Sequence, residues 1–423
     1  MTAGRHDGAV PRTPRIAACA VLVAALLAGC TSSKSRTGPT VTTIAPAPTT
    51  ATIAAIKTVP GMPPVLNPSN IYSAAEAGML SPAARTALPR VYVPDHQTNN
   101  VSVIDPSTMK VVEVVHTGFN PQHVVPAYDL SKLWVVNNSD ACNCAEGSVT
   151  PINSQTGAFG PSIPVDDPYN LYFTPDGAYA IIVAEARRRL DFRDPNTMAL
   201  RFSIPTPTCA GVNHMDFAID GSYLIATCED VHRVVKVDWV HRTVLGTLDL
   251  GAGSLPQDIR LAPNGRLFYV ADMLSNRLIM VNGDTFSIAG TIDLAPTGGF
   301  GAHGLYPSRD GRYLYVANRG SAVRGIGPRH ARGSVSVVDF AANKVVANWP
   351  VPGGGSPDMG GVSADGSQLW LSGRFDNEVY AFDTRTGALA ARIQVHPAGI
   401  EPHGLLVWPQ PGRYSLGHTG NTR

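Results

Sequence analysis

Asp310-Gly-Arg-Tyr-Leu-Tyr-Val-Ala-Asn318, followed after a loop by Gly333-Ser-Val-Ser-Val-Val-Asp339, reads as a tight turn feeding one alternating strand and then another. Asp-Gly supplies the backbone angles that a hairpin turn demands. The pattern recurs at Asp129, Asp176, Asp220, Asn264, Asp365 and Pro411, with anchors 47, 44, 44, 46, 55 and 46 residues apart. A short apolar strand precedes each anchor (Leu171-Tyr-Phe is one) and a second follows it. A third strand ends in Asp or Asn, as in Val101-Ser-Val-Ile-Asp105, and a fourth follows, as in Val111-Val-Glu-Val-Val. Four strands in about 45 residues is the arithmetic of a propeller blade. Seven repeats predict an all-β seven-bladed β-propeller with four-stranded blades.

The ends of the repeat fit ring closure. The ordered chain is expected to begin at Val91-Tyr-Val, in mid-repeat, and to finish on a first strand, Gly404-Leu-Leu-Val-Trp408. The N- and C-terminal strands would share one blade and leave no open edge. Tyr414 to His418 reads either as a duplicate strand or as a tail.

Composition narrows the class. The chain has 423 residues and 33 Lys+Arg against 32 Asp+Glu, so it lacks the basic excess of a nucleic-acid binder. With 44% hydrophobic and 15% charged residues it is not a disordered chain. It has one long apolar run, Ile16 to Leu27, preceded by Arg12 and Arg15, where a polytopic membrane protein would have several. The run suits a secretory signal peptide. It ends in Leu27-Ala28-Gly29-Cys30, which resembles the lipobox of bacterial lipoproteins. That resemblance implies lipidation of Cys30, removal of residues 1–29, and an extracytoplasmic, membrane-anchored protein. Residues 31–60 hold nine threonines and no aromatic residue. Residues 30–87 are therefore expected to be a lipidated cysteine and a flexible tether, with a short helix within Ala74 to Ala87. The propeller is expected over 88–423, as a monomer.

Leu314-Tyr-Val-Ala-Asn318 and Gly333-Ser-Val-Ser-Val-Val-Asp339 resemble the YVTN-type, YncE-like β-propeller repeat family. The resemblance covers about residues 88–423 and implies the fold. The same resemblance brings in surface-layer and secreted proteins, propeller-type lactonases and the propeller of nitrous oxide reductase. The lactonases carry a His-containing segment that Pro121-Gln-His123 and Pro402-His403-Gly404 resemble. Their catalytic Arg and Glu have no matching positions here. For a calcium-dependent lactonase site, Glu185 and Glu229 are the glutamates at second-strand ends.

Candidate chemistry concentrates on one face, where loops entering first strands meet loops joining second to third strands. His123, His214, His303 and His403 stand at first-strand entries, with Asn170, Asp258 and Asp358 in the comparable places of the other blades. Converging on the channel mouth, the four imidazoles would suit copper or zinc. The spacing argues against convergence: His123 and His214 lie six residues before their anchors, His303 seven and His403 eight. A slip of one residue turns a strand side chain to the other face unless a bulge restores it. Three readings follow: histidines that brace their loops, a metal site using at least two of them, or a metal-free ligand pocket.

Four cysteines remain beyond the signal region, an even number that suits an oxidising compartment. Cys209 and Cys228 flank one blade's first two strands and are expected to pair. Cys142 and Cys144 are open between a disulfide and a metal pair. The 55-residue interval comes from a loop carrying Arg319, Arg324, Arg329, His330 and Arg332; Arg187, Arg188 and Arg189 occupy a comparable loop. These guanidinium groups suit an anionic wall polymer or are balanced by nearby acids. No Gly-x-Ser-x-Gly elbow, His-Glu-x-x-His pair, Walker loop or dinucleotide fingerprint occurs. The expected function is a binding platform for a protein, glycan or small ligand. The alternative is a channel-mouth enzyme, either a copper- or zinc-dependent oxidoreductase or a lactonase.

Overall fold

Seven four-stranded antiparallel sheets form a seven-bladed β-propeller. The computed structural model describes residues 55–139, 147–320, 332–395 and 401–423. The inner strands of blades 1 to 6 are Pro121–Pro126, Pro168–Phe173, Val212–Phe217, Pro256–Leu261, Ala302–Pro307 and Pro357–Val362. Blade 7 runs Leu406–Trp408, Arg90–Asp95, Asn100–Asp105 and Lys110–His116 from the channel outward. Val91 pairs with Val407, so the two ends of the chain close the ring in one sheet as expected.

Burial explains the strand patterns. The inner strands are buried along nearly their whole length, because both faces meet neighbouring blades. The outermost strand alternates: Thr243–Asp249 is exposed at every second residue. Large side chains fill the wedges between blades. Trp370 and Val379 of blade 6, for example, pack with Val91, Val93, Ile104 and Val407 of blade 7. Each fully buried side chain of this size contributes about 1.5–3 kcal/mol. The anchor turns need glycine: Gly177, Gly221, Gly265, Gly311 and Gly366 all have φ between +68° and +77°.

Two segments differ from the sequence expectation. Residues 55–87, expected within the tether, are an ordered strap along the face that carries the anchor turns. Val59 N–H bonds to Asp220 O at 2.9 Å, Ile71 N–H to Pro263 O at 2.8 Å, and Tyr72 Oη–H to Leu261 O at 2.6 Å. Ile71, Tyr72, Ala74, Ala75, Ala84 and Ala87 are buried, which supplies the apolar surface that the Thr/Pro-rich part lacks. The short helix expected within Ala74 to Ala87 is instead a 3-10 turn, Ser73–Ala75, and one α-turn, Pro82–Arg85, separated by Gly78 at φ +81°. No helix among the described residues is long and apolar enough to cross a membrane.

The second segment is the C-terminal tail. It adds no fifth strand to a blade. It folds across the end of the channel: Phe173 N–H bonds to Leu416 O at 3.0 Å and His418 N–H to Leu171 O at 2.9 Å. Asn421 and Arg423 reach Asp216 at 3.0 and 2.8 Å. Gly417 has φ +92°, and a Cβ there would lie 2.5 Å from Leu171 O. The tail thus seats His418, fully buried, in the channel.

Candidate functional site

The histidines converge because every blade carries one extra residue in its inner strand. Pairing slips between Pro121 and His123, Pro168 and Asn170, Val212 and Met215, Pro256 and Ile259, Ala302 and Leu305, and Pro357 and Gly360. In blade 7, Pro402 pairs with Asp95 and Leu406 with Tyr92, which again leaves one residue over. A bulge of this kind re-aims side chains. It cancels the one-residue slip that had argued against a shared site. His123, Asn170, His214, Asp258, His303, Asp358 and His403 all lie in or beside these bulges, and each is at most 2% exposed. Gly404 lets the chain pass His123, since a Cβ there would lie 2.0 Å from Nδ1.

Four imidazoles form a closed quadrilateral. Ring centres are 5.5 Å apart for His123 and His214, 6.3 Å for His214 and His303, 5.8 Å for His303 and His403, and 4.9 Å for His403 and His123. Imidazoles sharing one tetrahedral ion have centres about 5 Å apart. The tail adds a fifth ring that sequence reading missed: His418 lies 4.7 Å from His214 and 5.5 Å from His123. Burial first, then the charges of neighbouring rings, holds His123 and His214 well below the usual histidine range. Burial and Arg319 do so for His303; burial and Arg374 bring His403 down to about 3. Burial lowers His418 too. All five rings are neutral at pH 7, the form that ligates metals or donates a single N–H.

Which nitrogen carries each proton follows from the partners. Asp358 is fully buried and accepts from His403 Nδ1 at 2.5 Å and from Arg319 Nε at 2.5 Å. His303 Nδ1 lies 3.1 Å from the same carboxylate, outside hydrogen-bond alignment. Burial alone would raise the Asp358 pKa, but Arg319 and the two imidazoles outweigh it and hold the carboxyl well below its usual range. A carboxylate facing Nδ1 puts the proton there and leaves Nε2 as a lone pair. His123 has no hydrogen-bond partner on either nitrogen among the described residues.

The other two rings are set the opposite way. Asn170 Oδ1 accepts Leu171 N–H at 2.8 Å, which turns its Nδ2 toward the channel. That nitrogen lies 3.1 Å from Nδ1 of both His214 and His418. An amide nitrogen only donates, so both Nδ1 atoms accept and both protons sit on Nε2. Among the described residues, one ligand atom each of His214, Asp258 and His418 falls within 4.8 Å of the others. Distance alone would make that trio the metal site. The hydrogen bonds of its two rings run through Nδ1 to Asn170, while His418 Nε2 lies 3.5 Å from Asp258 Oδ2 and neither Nε2 has a hydrogen-bond partner among the described residues. Burial would raise Asp258, but Arg260 and His418 outweigh it and lower its pKa.

The remaining candidates separate. Arg319 is 8% exposed and committed to Asp358, so it is no free loop cation. Arg187 and Arg189 pair with Asp166, and Arg189 also with Asp191, which is the balanced-loop reading. Arg324, Arg329, His330, Cys142 and Cys144 lie outside the described residues, as does Cys30. Arg332 is exposed. Cys209 and Cys228 form the expected disulfide, tying the approach to His214 to the neighbouring strand. Glu229 accepts from Asn213 Nδ2 at 2.7 Å at the channel rim, and burial raises its pKa.

Comparisons with known proteins bear on the fold. The periplasmic gluconolactonase PpgL of Pseudomonas aeruginosa superposes with TM-score 0.60 at 21% identity, covering 76% of this chain and 99% of its own. Hydrazine synthase of Kuenenia stuttgartiensis superposes with TM-score 0.57 at 18% identity, covering 73% and 97%. A functionally unknown protein of Desulfotomaculum acetoxidans does so with TM-score 0.56 at 15% identity, covering 76% and 99%. At these identities the likeness is one of fold alone. No curated protein matches the chain. A family model described as YncE-like β-propeller matches residues 45–411, a span that ends before His418. With most of its length matched, this chain belongs to the YncE-like β-propeller family.

Proposed function

We propose that this chain is an extracytoplasmic, lipid-anchored propeller that binds one copper or zinc ion in its channel through Nε2 of His123, His303 and His403. The propeller is the rigid platform and the ion its ligand. The observation that carries the reading is Asp358: a buried carboxylate hydrogen-bonded to Nδ1 of His403, as the outer partner of a metal-binding histidine is, with Nδ1 of His303 3.1 Å away but not hydrogen-bonded. Three neutral imidazole nitrogens suit zinc or copper and would leave a coordination position open, but the ligand atoms of these three residues do not all lie within 4.8 Å of one another, so the rings must draw together to share an ion. An ion bound there supplies Lewis acidity. Around it the chain holds the rings in place, keeps them neutral by burial, and excludes bulk water. Export and lipidation rest on the segment ending in Cys30, and the Cys209–Cys228 disulfide fits an oxidising compartment.

The test is elemental analysis of the full-length chain, purified from membranes in detergent without chelator. The account expects one copper or zinc per chain, and its loss when His303 and His403 are both replaced by Phe. Full metal content in the folded double variant would overturn the site.

A further inference from the structure

We infer that a cleft under the strap, on the face that carries the anchor turns, binds a phosphate-sized oxyanion on the guanidinium of Arg309. The inference does not rest on the metal reading, since no proposed metal ligand lines this cleft. The cleft has a volume of about 430 Å³ and is walled by the strap at Tyr72, blade 5 at Tyr306, blade 6 at Val362 and the C-terminal segment at Gln410. Two arginines, Arg260 and Arg309, line it, and no Asp or Glu among the described residues does. Arg260 is paired with Asp258 at 3.4 Å. Arg309, half-buried, makes no ion pair among the described residues. Its Nε donates to Ser363 O at 3.0 Å, and its Nη2 to Val362 O and Gln410 Oε1, each at 2.5 Å. All three acceptors are neutral. Nη1 has no hydrogen-bond partner among the described residues.

The charged end of Arg309 lies at this cleft. Arg309 also touches an outer groove between blades 5 and 6, but Val362 and Gln410, whose oxygens hold Nη2, line the cleft and not the groove. The stem passes the groove: a Cβ on Gly366, which lines it, would lie 3.0 Å from Arg309 Cγ. The bonds from Nε and Nη2 turn one edge of the planar guanidinium to blade 6 and leave Nη1 off that edge. Charge points the same way. At this end of the channel Asp258 is matched by Arg260 and Asp216 by Arg423. Asp310 and Asp365 lie in the outer groove, where Asp310 accepts from Ser308 Oγ at 2.5 Å and Asp365 from Ser363 and Ser367 Oγ at 2.6 and 2.9 Å. Burial lowers the Arg309 pKa to about 10, with Asp365 opposing. A cation desolvated among neutral acceptors calls for a counter-charge. An oxyanion supplies it through charge-assisted hydrogen bonds, the contact for which a guanidinium is suited.

The probe is inorganic phosphate, titrated calorimetrically into the full-length chain in detergent. Arg309→Met keeps the stem and removes the charge, and phosphate affinity should fall about 10- to 100-fold in it. Phosphate held by a channel metal would not respond to this substitution. Unchanged affinity in the variant therefore overturns the inference, as does a natural protein that takes up no phosphate at millimolar concentration. If Arg309→Met does not fold, crystals of the natural protein soaked in selenate, an oxyanion of similar shape, decide the matter. Anomalous scattering at the selenium edge should show a peak within hydrogen-bond distance of Arg309 Nη1. A peak only elsewhere, or none, overturns the inference. Each of these outcomes leaves the metal reading standing.

Discussion

Replacing Asp358 with Asn should damage stability and metal binding together. The carboxylate is fully buried and meets Arg319 Nε at 2.5 Å, His403 Nδ1 at 2.5 Å, His303 Nδ1 at 3.1 Å and Arg374 at 3.9 Å. Asn keeps the shape and loses the charge. Arg319, 8% exposed, would then lack its counter-ion, a loss worth about 3–5 kcal/mol in a buried pair. The amide nitrogen would also compete to donate to His403 Nδ1 and push the ring proton to Nε2, where the metal binds. Losing such an outer-shell partner costs about 10- to 100-fold in metal affinity. Asp258→Asn is the matched control. It strands Arg260, 2% exposed, and should destabilise comparably, yet it touches none of the three proposed ligands. Metal affinity should then change by no more than about threefold. Urea unfolding measures the first effect and competition with a chromophoric chelator the second. If Asp258→Asn lost the metal and Asp358→Asn kept it, the protonation argument would be wrong and the His214–Asp258–His418 trio would be the site.

Other outcomes follow from the same geometry. Asp95 is 1% exposed, its Oδ1 has no partner among the described residues, and burial pushes its pKa up to about 7. Between pH 4 and 7 the folded state binds more protons than the unfolded one, so stability should fall as pH rises through that window, by up to about 4 kcal/mol from this group. Asp95→Asn should flatten the slope in urea midpoints, and an unchanged slope would refute the assignment. Replacing both Cys209 and Cys228 with Ser opens a loop with a sequence separation of 19 and should cost about 3 kcal/mol, read by denaturant unfolding. Gly417→Ala forces a Cβ against Leu171 O at φ +92° and should loosen the tail by about 1–3 kcal/mol, seen as faster tryptic cleavage after Arg413; equal protection would contradict the seating. Cys30→Ser should move the protein from the membrane to the soluble fraction.

The blades were legible because each repeat states its turn and its alternation in a few residues, as Asp310-Gly does. Ring closure was legible because Leu406–Trp408 is a first strand at the end of the repeats and Arg90–Asp95 a second strand at their beginning, and the two pair. The site was half legible. The seven entry residues stood out by position, but alternation is a period-two argument and cannot register the extra residue that each inner strand carries. His418 was invisible as a site residue because the tail follows no repeat; only its docking on Leu171 and Asp216 brings it inward. The strap was misjudged because Ile71, Tyr72 and the buried alanines give apolar contact without strand or helix periodicity.

The central claim is that His123, His303 and His403 share a metal ion whose ligands Asp358 orients. Anomalous scattering from a crystal of the metal-loaded protein, recorded on both sides of the metal edge, tests it most directly. The account predicts one peak inside the imidazole quadrilateral, within bonding distance of Nε2 of those three residues. A peak between His214, Asp258 and His418, or no peak in the channel, would contradict it.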